Sequence, residues 1–243
     1  MLQSALAAGA TLVACAFALS TFERWLERRR RHELVWSVAL AFFAVGAAFL
    51  WVGASTGWTL PAFRGFYLFG AVLNVPVLAL GTIYLLGGRR AGDRWSAGVA
   101  LAGAFAAGVL VVAPAHGIAD PGRLPQGSEV FGALPRALAA VASAGGALVV
   151  LGGAVWSAWR QRRGRLLWAN IVIATGTLIL GASGLLNSVV GAMEAFAITL
   201  AIGVSVLYAG FLIAVKPVRP RERPAAPAAT PSPPSLAEAR PRS

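Results

Sequence analysis

The chain has 243 residues, 58% of them hydrophobic and only 12% charged, with 21 basic against 9 acidic side chains and a formal net charge of +12. Soluble domains run at about 45–50% apolar and about 25% charged, so an ordinary soluble domain and a disordered chain are both excluded. The charges sit between long apolar runs, which assigns the arginine excess to anionic lipid at a bilayer surface and not to nucleic acid.

A helix needs about 20 apolar residues to cross a hydrocarbon core about 30 Å thick. Seven stretches qualify, at about 2–22, 34–53, 63–86, 95–114, 134–159, 166–190 and 195–215. None alternates with the period of two that a barrel strand shows. In lipid each backbone group must bond within its own segment. The expected fold is therefore an all-α membrane protein, a seven-transmembrane-helix bundle over residues 1–216.

The first span carries no charge before Glu23, and Arg28, Arg29, Arg30 and Arg31 follow it. That order inverts a secretory signal peptide and predicts an uncleaved helix with its N-terminus outside. Leu12-Val13-Ala14-Cys15 has the look of a lipoprotein box, but Cys15 reads as a small apolar residue within a helix. A lone cysteine makes no internal disulfide or multi-cysteine metal site. Basic residues in short loops favour the cytoplasmic side. Sixteen lie in the odd loops and just after the last span, against Arg64, Arg123 and Arg136 in the even ones. The expected topology is N-terminus outside and C-terminus cytoplasmic, in a bacterial plasma membrane. Trp25, Trp36, Trp51, Trp58, Trp95, Trp159 and Trp168 fall near span ends, where an amphipathic ring suits the headgroup layer.

The third span places Tyr67, Gly70, Asn74, Leu78, Gly81 and Leu85 on one helical face. Pro76 removes a backbone hydrogen bond two residues beyond Asn74 and predicts a kink that frees a carbonyl. Asn74, Pro76 and Tyr67 are thus candidates for ligand contact or for helix packing. The 115–133 segment holds His116, Asp120, Arg123 and Glu129 among turn residues and reads as an outer connector. The sixth span carries Asn170, Ala174, Thr177, Gly181, Gly184 and Ser188 as a small and polar stripe, with Asn187 beside it. Such stripes let helices approach and hydrogen-bond. The seventh repeats this more thinly in Thr199, Gly203, Val206 and Gly210, and Glu194 stands at its mouth. The third, sixth and seventh spans are expected to be central.

RWLERRRRHELVW and AWRQRRGRLLW share a Trp, an arginine cluster and a second Trp. That pattern allows a 3+1+3 parallel repeat like that of small sugar transporters, whose Pro-Gln pairs are missing from the spans. Residues 217–243 are rich in Pro, Ala and Arg and read as a disordered cytoplasmic tail.

No acidic or basic side chain falls near the middle of a span, which argues against a proton pump. The only lysine, Lys216, lies at a span end, which argues against a retinal Schiff base. His32 and His116 fall at opposite ends and cannot share a haem. No catalytic triad, HExxH or phosphate loop is present, and no cofactor or metal is expected. The run Phe63–Arg90, FRGFYLFGAVLNVPVLALGTIYLLGGRR, resembles uncharacterised multi-pass membrane proteins of actinobacterial-type, high-GC bacteria. That resemblance implies the multi-span layout and brings no activity. The expected function is a non-enzymatic sensor or accessory subunit with a membrane or cytoplasmic protein partner. The alternative is a small-solute or lipid transporter working at the kinked third helix.

Overall fold

The computed structural model describes residues 2–160, 164–190 and 193–215. The elements in chain order are α1 (Leu2–Arg28), α2 (Arg31–Thr56), α3 (Leu60–Phe66), a π-helical segment (Tyr67–Leu73), α4 (Asn74–Val112), α5 (Gly127–Val130), α6 (Ala133–Arg160), α7 (Arg165–Val190) and α8 (Met193–Val215). Among the described residues there is no strand, only one antiparallel bridge between Ala115 and Phe131. The tail beyond residue 215 lies outside the described residues.

The helices overrun the apolar windows at their charged ends. α1 continues through Glu23-Arg24-Trp25 to Arg28, and α2 begins at Arg31. Arginine is a good helix former, so loss of hydropathy does not end a helix. Glycine does so at residue 88. An unbroken helix from residue 60 to 112 would be about 80 Å long at about 1.5 Å per residue. Gly88 adopts φ 75° and ψ −175°, a conformation that a side chain disfavours, and the chain doubles back there.

The contacts define an antiparallel serpentine. Arg24 of α1 meets Glu33 of α2, and Ser37 of α2 donates to the Ala18 carbonyl. Trp36 Nε1 donates to the Leu78 carbonyl at 3.2 Å, while Gly46 faces Gly70. The 89–112 part of α4 runs back along the third helix, with Gly103 against Leu73 and Arg64 donating to the Val111 and Ala113 carbonyls. α6 runs parallel to the third helix, since Ser143 reaches Ala71 and Gly153 reaches Thr82. α7 and α8 are antiparallel, with Gly176 against Leu207 and Gly210 against Ile173. α8 then packs beside α1 through Phe17, Tyr208 and Phe211 and closes the ring.

One consequence is that the α1–α2 turn, the Gly88 break, the end of α6 and the end of α8 gather at a single end of the bundle. This arginine-rich end lies opposite the 115–131 segment. The largest core cluster sits toward that opposite, loop end. Ala7, Ala10 and Ala14 of α1, Leu50 of α2, Phe63 of α3 and Phe196, Leu200 and Val204 of α8 meet there beneath Leu124, Val130 and Phe131.

Candidate functional site

The third helix is irregular just before its proline. Pro76 offers no N–H to the turn above it and its ring crowds that turn. The backbone responds by widening into the π segment. π-bulges commonly mark such interruptions. The Ala71 carbonyl within the segment accepts a hydrogen bond from Ser143 Oγ of α6 at 2.6 Å. Hydroxyls of neighbouring helices relieve broken apolar helices in just this way.

The middle of the six-residue face predicted on this helix, from Gly70 to Gly81, packs on α2, while Leu85 is exposed. Gly70 approaches Gly46, where an ideal Cβ would stand 3.0 Å from the Gly70 nitrogen. Leu78 supplies the carbonyl for Trp36, and Gly81 lies beneath the same indole. Asn74 is buried, at 8% exposure. No hydrogen bond joins its side chain to another helix among the described residues. Tyr67 lies higher, in ring contact with Phe63 and Phe131 and beside Gly127. Tyr67, Asn74 and Pro76 therefore occupy one helix without converging on one cavity.

On α7, Thr177 is buried and its hydroxyl donates to the Ile173 carbonyl one turn back. The close approach to α8 is made by Gly176, whose Cβ would stand 2.7 Å from the Leu207 nitrogen. It lies one position away from the predicted stripe. On α8, Gly203 and Gly210 face Leu180 and Ile173. The side chains of Asn170, Asn187 and Glu194 lie outside the described residues.

Several residues that the sequence did not single out carry the polar geometry. Arg24 and Glu33 pair at 2.9 Å with Glu33 only 1% exposed. Glu33 Oε2 and Arg24 Nε are buried with no partner, and the Arg24 guanidinium stands 5.4 Å over the Phe211 ring. Asp93 gathers Arg31, Arg89 and the Tyr84 hydroxyl across the Gly88 break. Charge opposite charge across a turn was the available signal, but nothing in composition fixes which pairs meet.

The 115–131 segment is not a bare connector. Gln126 and Glu129 form a capping box on the single turn α5, and the His116 backbone N–H donates to the Val130 carbonyl. A notch lined by Gly117, Ile118, Asp120, Arg123, Glu129 and Val130 opens on its surface. Its one cation already pairs with both of its carboxylates. Arg123 pairs with Glu129 at 2.7 Å and with Asp120 at 3.9 Å. The hydrogen bond from Arg123, then that from the Gln126 backbone, holds the Glu129 carboxyl below its ordinary value, and Glu129 holds Arg123 above its own. The segment covers Trp58, whose backbone N–H donates to the Pro121 carbonyl. Trp58, expected at a headgroup layer, is instead 2% exposed, because this strap folds over it. Trp51, Trp95, Trp159 and Trp168 are exposed. Among the described residues no three His, Cys, Asp or Glu side chains group as a metal site.

This is an all-helical protein with several helices long and apolar enough to cross a membrane. No protein-family model, no curated protein and no solved structure matches the chain.

Proposed function

We propose that the chain is a seven-span integral protein of a bacterial plasma membrane, with its N-terminus outside and its C-terminus in the cytoplasm. In this reading it acts as a sensor or accessory subunit. The observation that carries the topology is the gathering of the 28–31 turn, the Gly88–Arg94 stretch and the ends of α6 and α8 at one end of the bundle. Arginine at one end of alternating helices matches the charge rule for cytoplasmic loops. The break at Gly88 supports dividing residues 60–112 into two spans.

The sensor or accessory reading rests on how the polar positions of the third helix are used. Its predicted face meets α2 at Gly70 and Gly81, and a carbonyl of its π segment is taken up by Ser143. Signal or lipid would be received at the strap or bundle, and a partner, a membrane or cytoplasmic protein, would be met at the basic end. The transporter alternative draws on the π segment, since such segments are frequent at functional sites. Single-cysteine variants in a Cys15→Ser background test the topology. Residues 30, 90 and 222 should resist an impermeant thiol reagent added to whole cells, and residue 122 should react. Labelling of residue 30 from outside would sink the proposed orientation. A solute whose uptake is lost in Asn74→Leu would favour transport.

A further inference from the structure

The arginines of the α1–α2 turn and of the stretch after Gly88 fall into two sets. Arg24, Arg31 and Arg89 are spent internally on Glu33 and Asp93. Arg28, Arg29, Arg30, Arg90 and Arg94 are exposed and make no ion pair among the described residues. Exposed Glu23 and Glu27 offset part of this charge, leaving the patch positive. Asp93 holds Arg31 and Arg89 at once, so the stretch before α2 and the stretch after Gly88 form one surface and not two separate loops. Trp25 and Trp95 flank it, the latter 60% exposed.

Arg29 is the distinctive member. It is the only non-glycine with positive φ among the described residues, at 53°, a conformation that glycine or asparagine would hold at less cost. Its guanidinium lies 5.0 Å over the Trp25 ring, which fixes the charge in place. Guanidinium forks match phosphate oxygens, and tryptophan suits the depth of the headgroups.

The geometry points to a headgroup site for anionic phospholipid formed jointly by Arg28, Arg29, Arg30, Arg90 and Arg94, with the Asp93 bridge holding its two halves together. The site rests on the proposed membrane orientation and deepens it by naming the lipid class and the residues. Its occupant is the acidic lipid of the adjacent leaflet, because half-buried Trp25 and exposed Trp95 beside the cations suit a bilayer surface.

The test places the full chain in nanodiscs of phosphatidylcholine alone or mixed with phosphatidylglycerol at matched ionic strength, and reads Tm together with the lipid retained in native mass spectrometry. Phosphatidylglycerol should raise Tm by several degrees and be retained in preference to phosphatidylcholine. The triple variant R28Q/R29Q/R30Q should lose both effects, R90Q/R94Q should lose part of each, and R123Q at the opposite end should keep them. If the triple variant does not fold, R90Q/R94Q carries the comparison. Equal Tm and retention in the two lipids overturns the site while leaving the membrane reading intact, as does a lipid preference that survives the arginine substitutions. Failure to enter either nanodisc overturns both. Inorganic phosphate in phosphatidylcholine discs should give no comparable rise, and an equal rise would assign the site to a soluble anion and overturn the lipid.

Discussion

Arg24 and Glu33 stand nine residues apart, yet their side chains meet at 2.9 Å across the α1–α2 turn, with the Arg24 guanidinium over the Phe211 ring of α8. Burial of one member of an ion pair makes its partner costly to lose, because the remaining charge is stranded. Glu33→Ala should lower stability by about 3–5 kcal/mol, whereas Glu23→Ala, at an exposed position, should change it little. The double variant R24M/E33L should recover much of the loss. Thermal unfolding of wild type and the three variants in one detergent makes the comparison. A Glu33→Ala loss no larger than that of Glu23→Ala would show that the pair contributes nothing.

Two adjacent glycines on α6 make a sharper comparison. A Cβ at Gly146 would stand 2.8 Å from Val75 Cγ1 and 2.9 Å from its backbone, while a Cβ at Gly145 meets nothing within 4 Å. Gly146→Ala should push α6 off the third helix at a cost of about 1–3 kcal/mol. Gly145→Ala should be neutral or stabilising by up to about 1 kcal/mol. Equal effects at the two positions would mean that α6 does not lie on Val75. The same substitution should weaken the Ser143 bond to Ala71, so Ser143→Ala and Gly146→Ala should be less than additive.

These pairs mark where the sequence was informative and where it stopped. Hydropathy located the apolar windows, which lie within the observed helices to within two residues, because burial of a span depends on its own composition. It missed the helix ends at Arg28 and Arg31, where the backbone keeps its hydrogen bonds after the side chains turn polar. An interruption near Asn74 was legible from Pro76, since a missing N–H is a local fact, and it takes the form of the π segment. Its remedy was not, because Ser143 lies 72 residues away and nothing local names the helix that will supply a hydroxyl. Trp58 shows the same limit. Its position before α3 suggested a headgroup ring, and only the fold of residues 115–131 over it determines that it is buried.

The strap should respond to acid in a definite direction. Glu129 is held below its ordinary value chiefly by the Arg123 hydrogen bond. A depressed folded pKa means that the stabilisation is fully present above the unfolded value and disappears as pH falls through the folded one. The Tm gap between wild type and Glu129→Gln should therefore be constant around neutrality and close as pH drops below the ordinary glutamate range. The group is largely exposed, so the gap should be small and should shrink with added salt. A gap that persists at low pH would assign the effect to the α5 cap and not to the charge.

The strap is anchored less by its charges than by Phe131. Its ring stacks on Phe63 at 5.5 Å and 17° and meets Tyr67 at 5.1 Å, and it is only 1% exposed. Truncating a buried aromatic costs about 3–5 kcal/mol, so Phe131→Ala should exceed Glu129→Gln severalfold in lost stability. Release of the strap should also uncover Trp58, whose backbone N–H is held by the Pro121 carbonyl. In a variant that keeps Trp58 and replaces the other seven tryptophans with phenylalanine, Phe131→Ala should shift the emission to longer wavelength and open it to a soluble quencher. Phe131→Leu should preserve the shielding, since an aliphatic side chain still fills most of the space. Unchanged quenching in Phe131→Ala would mean that the Trp58–Pro121 contact holds the strap without its aromatic anchor.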